Sequence, residues 1–278
     1  MRHGANASNF PLVFDATTIC DSPWASSSGE RPGLVSRLKS FFAFAQVTSV
    51  IGEDDRTTEL YTRNIPERLV CSLEIRKQGR LYHGTGWMAG PRLVLTCGHN
   101  VHHDDFAGWA DSIDVIAGRS EADAPFGRVT ATRFSAHPGW VQSHDAACDF
   151  GCIHLDSPLG DKVGWFAVAM PGPAQVGQPV VCSGYPDFDA SFTRQRRGQG
   201  EVVWVDGRRL YHDVDTDNGE SGSPIWRMAD AQSPPEVFAV HGYEKVNVPA
   251  ADGREANVAT LIDADLYALA KQWRAVTR

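Results

Sequence analysis

From Ile65 onward the apolar residues come in short runs broken by glycine, proline, asparagine and aspartate. Runs of that length and punctuation predict strands at Leu69–Ile75, Gly86–Met88, Arg92–Thr96, Ile113–Ala117, Arg128–Phe134, Phe150–Leu155, Pro179–Ser183, Glu201–Val205, Leu210–Val214, Val237–His241 and Val258–Ile262. Many short strands of this kind imply an all-β sandwich or a pair of barrels. Pro171-Gly172-Pro173 to Gly177 reads as a linker between two halves of about six strands each. The period turns helical only at the end, where Asp263 can cap and Leu266, Leu269, Ala270 and Trp273 follow at helical spacing. That helix, over 263–275, is expected to pack outside the strands. No internal repeat of fixed period is visible.

Residues 1–48 have another texture. A Ser/Pro/Gly-rich patch runs from Ser22-Pro23 to Pro32-Gly33, and the amphipathic piece Leu34 to Val47 follows. This predicts a leader or propeptide-like extension over 1–48 and a folded domain over 49–278, with halves at about 66–160 and 175–262. Met1 to Asn9 is polar, and the basic-then-apolar run Arg37 to Ala45 is internal and short, so neither reads as an ordinary secretory signal. At 278 residues, 42% hydrophobic and 22% charged, the chain can bury a sizeable core. A net charge of -8 without a basic run argues against nucleic acid or an anionic membrane as partner. The apolar stretches fall short of the ~20 residues of a membrane helix. Cysteines stand at Cys20, Cys71, Cys97, Cys148, Cys152 and Cys182. Cys148 and Cys152 share an extended-looking run that would hold their Cα atoms roughly 13 Å apart, too far for a bridge.

The informative segment is Gly219-Glu220-Ser221-Gly222-Ser223-Pro224. A serine between two glycines sits on a tight turn where backbone N–H groups can converge near its hydroxyl. That hydroxyl is a weak nucleophile until a base takes its proton and a third group orients the base. Leu93 to His99 places a histidine just after an apolar strand, and Asp149 stands at the mouth of the strand Phe150 to Leu155. The order His, Asp, Ser excludes the α/β-hydrolase and subtilisin arrangements, and Ser223 breaks the lipase pattern G-x-S-x-G.

With Gly84-Thr85-Gly86-Trp87-Met88 and Ser49 through Thr57, these stretches resemble the chymotrypsin-fold serine endopeptidases, most nearly the bacterial glutamyl endopeptidases, from about Ser49 to the C-terminus. The resemblance implies two six-stranded antiparallel β-barrels with a C-terminal helix. It further implies a secreted, monomeric hydrolase acting on protein or peptide substrates without cofactor or metal. By the same resemblance His99 is general base and acid, Asp149 orients it, Ser221 attacks, and the N–H groups of Gly219 and Ser221 form the oxyanion hole. Two departures stand out. Asn100 occupies the place after the histidine where many relatives carry a disulfide cysteine, with Cys97 on the other side. Glu220 precedes the nucleophile where Asp, Asn or Gln is commoner.

Thr216 and His241 match positions where glutamyl endopeptidases keep a Thr and a His for the substrate carboxylate, implying cleavage after Glu and less well after Asp. Asp215 occupies the place where trypsin keeps its Arg/Lys-selecting aspartate, which implies the alternative of cleavage after Arg or Lys. A catalytically silent binding module on the same fold is the alternative from another class. The run His99 to Asp105 lacks a zinc-type pattern and reads as a solvated loop. Asp145 lacks the apolar strand that follows Asp149. His154 and the tryptophans Trp87, Trp140, Trp165, Trp204 and Trp226 read as core. Ser49-Val50-Ile51-Gly52 resembles the start of a mature glutamyl endopeptidase, so the uncut chain is expected to be a weakly active zymogen cut near Ser49 or Val50. The alternative is a permanent extension.

Overall fold

In the computed structural model, which describes residues 49–103, 108–170, 172–187, 191–227 and 233–276, the strands sort into two main sheets. The extension expected over 1–48 lies outside the described residues, as does Cys20. The first sheet contains β1 (Val70–Lys77), β2 (Arg80–Gly90), β3 (Leu93–Thr96), β4 (Ser112–Ala117), β5 (Val129–Ala131), β6 (Arg133–Ala136) and β7 (Gly151–His154), in the order β5-β4-β1-β2-β3-β7-β6. Thr132 alone separates β5 from β6, and these are the two edges of the sheet, so the barrel is nearly closed. The strand expected at Arg128–Phe134 is thus broken at this corner, and the sheet has seven strands rather than six.

The second sheet contains β8 (Pro179–Gly184), β9 (Arg196–Asp206), β10 (Arg209–His212), β11 (Pro224–Arg227), β12 (Glu236–Val248) and β13 (Arg254–Leu261), in the order β9-β8-β11-β12-β13-β10. A β9–β10 pairing closes it into a six-stranded barrel. Some strands exceed their sequence-based bounds. β2 begins at Arg80 because Gln78 and Gly79, at φ 49° and 75°, form a two-residue hairpin turn back from β1. β12 continues past His241 through irregularities of register between His241 and Val246.

Four helical pieces are used below: α1 (Gly98–Val101), α2 (Pro138–Ser143), α3 (Leu159–Val163) and α4 (Ala264–Val276). The Asp263 carboxylate accepts the Leu266 N–H at 3.0 Å, the cap expected of it. Leu266, Ala270 and Trp273 form the buried face of α4, and Trp273 stacks on Phe150 with ring centroids 5.5 Å apart. The terminal helix therefore braces the segment that leads into β7.

Leu73, Met88, Ile113, Val115 and Ile153 fill the first barrel, and Val180, Val202, Leu210, Ile225 and Ala259 the second. A third layer, with Trp87, Leu95, Phe166, Tyr185, Trp226 and Val240, draws on both. Burying each such side chain contributes about 1.5–3 kcal/mol, so groups on facing rims of the barrels keep a fixed relation. Trp165 departs from the core expectation: it is 38% exposed and lies under the Arg274 guanidinium. Trp204 is only half-buried. Cys71, Cys97, Cys148, Cys152 and Cys182 are buried and unpaired. Among the described residues no helix is long and apolar enough to cross a membrane.

Candidate active site

The buried strand β3 ends at Thr96 and the chain turns at once into the single-turn α1, which carries His99. β7 pairs with β3 so that Gly151 lies opposite Thr96, which delivers Asp149 beneath that turn. One Asp149 oxygen accepts the His99 backbone N–H at 2.8 Å, and the other lies 2.6 Å from His99 Nδ1. Both oxygens are engaged and the residue is fully buried, so the imidazole is held with its proton on Nδ1. Burial pushes the Asp149 carboxyl up, but His99 and the Tyr243 hydroxyl outweigh it and hold it below the usual carboxylate range. Asp145 serves elsewhere: it caps a short turn by accepting the Ala147 N–H at 3.0 Å.

Trp140, read from sequence as a core strand residue, sits instead on α2, its indole centroid 6.1 Å from the His99 ring. Its Nε1–H donates to the His102 carbonyl at 2.8 Å, which fixes it as one wall beside the histidine. The signal available in the sequence was Pro138 directly after His137, a helix-start pattern. His154 is buried in β7 and shares a 2.9 Å hydrogen bond with Ser135, away from His99.

The Ser221 loop comes from the second barrel and is stitched to the first. The Ser221 carbonyl accepts Thr85 N–H at 2.9 Å and Asn100 Nδ2 at 2.8 Å, and Thr85 Oγ1 donates to the Gly219 carbonyl at 2.9 Å. Asn100 also bonds Thr96 Oγ1 at 2.8 Å, so this residue forms a polar link between α1 and the serine loop. Gly222 has φ +94°, and a Cβ there would lie 1.9 Å from the Thr85 carbonyl oxygen, so glycine alone fits.

The loop's backbone donors divide in two. The N–H groups of Glu220, Gly222 and Ser223 bond to Asp217, His241 and Glu220 carbonyls. Among the described residues those of Gly219 and Ser221 donate to none. The Ser221 hydroxyl has only a long 3.5 Å bond to the Gly242 carbonyl. Glu220 is buried, with its carboxylate 2.6 Å from Arg56 Nη1.

Thr216 is fully buried and its Oγ1 has no hydrogen-bond partner among the described residues. His241 joins the Ser221 loop through backbone bonds to Gly222 and Ser223. Its Nδ1 lies 3.3 Å from His212 Nε2. Burial drives His212 down to about 3 and depresses His241 as well, so both rings are neutral near pH 7. Asp215 turns the other way: its carboxylate accepts the Ile51 N–H at 2.7 Å and the Asp55 N–H at 3.1 Å. Among the described residues one trio of possible metal-ligating atoms lies within 4.8 Å, that of Cys97, His99 and Asp149. Those atoms are already committed, since Asp149 binds His99 and the Cys97 thiol, pushed up by burial, donates to the His241 carbonyl at 3.0 Å.

Two facing barrels, with a His–Asp pair on one rim and a glycine-bounded serine on the other, define the chymotrypsin class of serine peptidase folds. Residues 84–232 match the trypsin-like peptidase domain, and the chain belongs to that family. It is 33% identical over 198 residues to a glutamyl endopeptidase of Bacillus licheniformis, an overlap of 70% of this chain and 61% of that protein. A Bacillus subtilis protein named as an extracellular metalloprotease is 28% identical over 231 residues, 82% of this chain and 70% of that one. A solved Glu endopeptidase, in complex with MPD, superposes with a TM-score of 0.70 at 24% identity, covering 81% of this chain and 99% of the other. This chain thus spans less than two thirds of the B. licheniformis relative.

Proposed function

We propose that the protein is a serine endopeptidase that cleaves after glutamate, and less well after aspartate. The observation that carries the chemistry is the pair of N–H groups at Gly219 and Ser221, left without acceptors among the described residues beside the half-buried, weakly bonded Ser221 hydroxyl. In this reading Ser221 Oγ attacks the scissile carbonyl carbon while His99 Nε2 takes its proton. The two N–H groups receive the oxyanion, and Asp149 stabilises the imidazolium. His99 then protonates the leaving amine, and water repeats the sequence on the acyl-enzyme. No step calls for a metal.

The specificity rests on buried donors. A buried hydroxyl without a partner costs free energy unless a ligand satisfies it, and Thr216 Oγ1 is such a group. If His212 Nε2–H donates to His241 Nδ1, the His241 proton lies on Nε2, a neutral donor suited to a carboxylate. Arg/Lys selection by Asp215 is disfavoured because its carboxylate is consumed by two backbone N–H groups. A peptide-library digest tests this: cuts should follow Glu, with fewer after Asp, and cuts after Arg or Lys but not Glu would overturn it. Thr216→Val should lower kcat/KM for Glu substrates ~10- to 100-fold, the worth of a hydrogen bond to a charged group.

Residues 1–48 act, in the same reading, as a removable extension. Ser49 bridges Thr216 antiparallel, so a chain cut there would carry its new α-amino group on the residue beside the unsatisfied hydroxyl. The form beginning at Ser49 should therefore turn over a Glu substrate faster than the intact chain. Equal rates, with the intact N-terminus verified by mass after the assay, would refute the zymogen reading.

A further inference from the structure

Glu220 and Arg56 form an ion pair with both side chains 98% out of solvent contact, at 2% exposure each, and it lies directly behind the nucleophile. Arg56 reaches it from the segment after Ser49. Its Nη1 meets the Glu220 carboxylate at 2.6 Å, and the same oxygen accepts the Asp217 N–H at 2.8 Å. Asp54 grips the other side of the guanidinium through two bonds of 2.9 and 3.0 Å, and Arg196 ties Asp54 from β9 at 2.8 Å. The segment is itself pinned. Asn257 Nδ2 holds the Ser49 carbonyl at 2.8 Å, Asp215 holds the Ile51 and Asp55 N–H groups, and Thr57–Thr58 pair with Arg197 and Arg196.

We propose that Arg56 is a positioning residue that holds Glu220, and through it the Asp217–Ser221 loop, in the conformation that leaves the Gly219 and Ser221 N–H groups free for an oxyanion. The proposal rests on the serine-endopeptidase reading and deepens it. Glu220 lies between those two residues in the chain, and its own N–H and carbonyl are spent inside the loop, on Asp217 and Ser223. With its side chain anchored at 2.6 Å, the loop has little freedom to turn either free N–H inward. The anchor is a side chain inside the segment 49–58, not a chain terminus. It follows that the uncut chain already has its oxyanion hole, and that any gain from removing residues 1–48 falls on recognition of the substrate carboxylate.

The charged groups around Glu220 are Arg56, Asp217 and, through Arg56, Asp54, with the Cys182 thiol also close. Burial pushes the Glu220 carboxyl up to about 7 against the pull of Arg56. Removing that pull moves it higher still, so in the variant the ionised carboxylate, left with only the Asp217 N–H as partner, appears only at higher pH.

The test uses the full-length chain and a fluorophosphonate probe, whose reaction needs Ser221, His99 and the oxyanion hole but no glutamate. Intact wild-type protein should label readily. Arg56→Met should label ~10²- to 10³-fold more slowly, the loss typical of a disrupted oxyanion hole. Its kcat should fall similarly with KM nearly unchanged, and the acid limb of its pH profile should move upward. Arg56→Lys should recover most of the rate. A folded Arg56→Met labelling within threefold of wild type would overturn the proposal. Should that variant fail to fold, Glu220→Gln keeps the shape and loses the charge: labelling slowed at least tenfold with Tm retained supports the anchor, and wild-type labelling overturns it. An intact chain that labels only after cutting near Ser49 would also overturn it. Cleavage after Arg rather than Glu would sink the specificity reading while leaving these labelling results untouched.

Discussion

Ser221→Ala is expected to lower turnover on the order of 10⁶-fold, and His99→Ala by a comparable factor, because nucleophile and base act as one unit. For the same reason the double variant should be hardly worse than either single one. The loss should come without unfolding. The Ser221 hydroxyl makes only a 3.5 Å contact to the Gly242 carbonyl, whereas the backbone of the loop is held by Thr85 and Asn100. Thermal midpoint and circular dichroism of Ser221→Ala should therefore match wild type while probe labelling disappears. A purified Ser221→Ala protein that kept more than about one hundredth of wild-type activity would remove Ser221 from the chemistry, since the residual rate over water attributed to oxyanion hole and binding is far smaller.

The repeated short apolar runs led to a β-rich fold, and the ends of two of them led to His99 and Asp149. What the pattern hid was geometry set by partners far away in sequence. The break at Thr132 that splits one strand between two sheet edges depends on barrel closure, which no local window reports. The Gln78–Gly79 hairpin was missed because the following Arg80 to Thr85 stretch is polar and weakly alternating. Trp140 is buried as its reading as core implied, but strand spacing suggested a strand, and its place beside His99 follows from a six-residue helix. Asp215 was ambiguous in sequence because register alone cannot say which way a side chain turns. Its two backbone partners lie 160 and 164 residues away. Arg56 was the largest omission. It lay inside the Ser49–Thr57 resemblance, but nothing in that stretch reveals that a surface-type residue is buried against Glu220.

Asp149→Asn should lower kcat about 10⁴-fold near neutral pH, as the equivalent replacement does in the well-studied triad, with KM little changed. The cause is the direction of one hydrogen bond. Asp149 accepts from both the His99 N–H and His99 Nδ1, at 2.8 and 2.6 Å, in a site with no exposure to solvent. An asparagine offers one acceptor and one donor in the same space. With its oxygen kept on the backbone N–H, its amide faces Nδ1 and forces the imidazole proton to Nε2, where it blocks transfer from Ser221. Flipping the amide to restore Nδ1–H would set the amide against the His99 backbone N–H, a buried donor-to-donor contact costing about 1–3 kcal/mol. Either state is impaired. In the wild type the depressed Asp149 pKa has a matching stability signature: its stabilisation is present above the ordinary carboxylate range and is lost as pH falls through the lowered native value. Asp149→Asn should lack that part of the acid-destabilisation curve. Single-turnover rates of the folded variant within tenfold of wild type at pH 7 would show that Asp149 does not set the tautomer of His99.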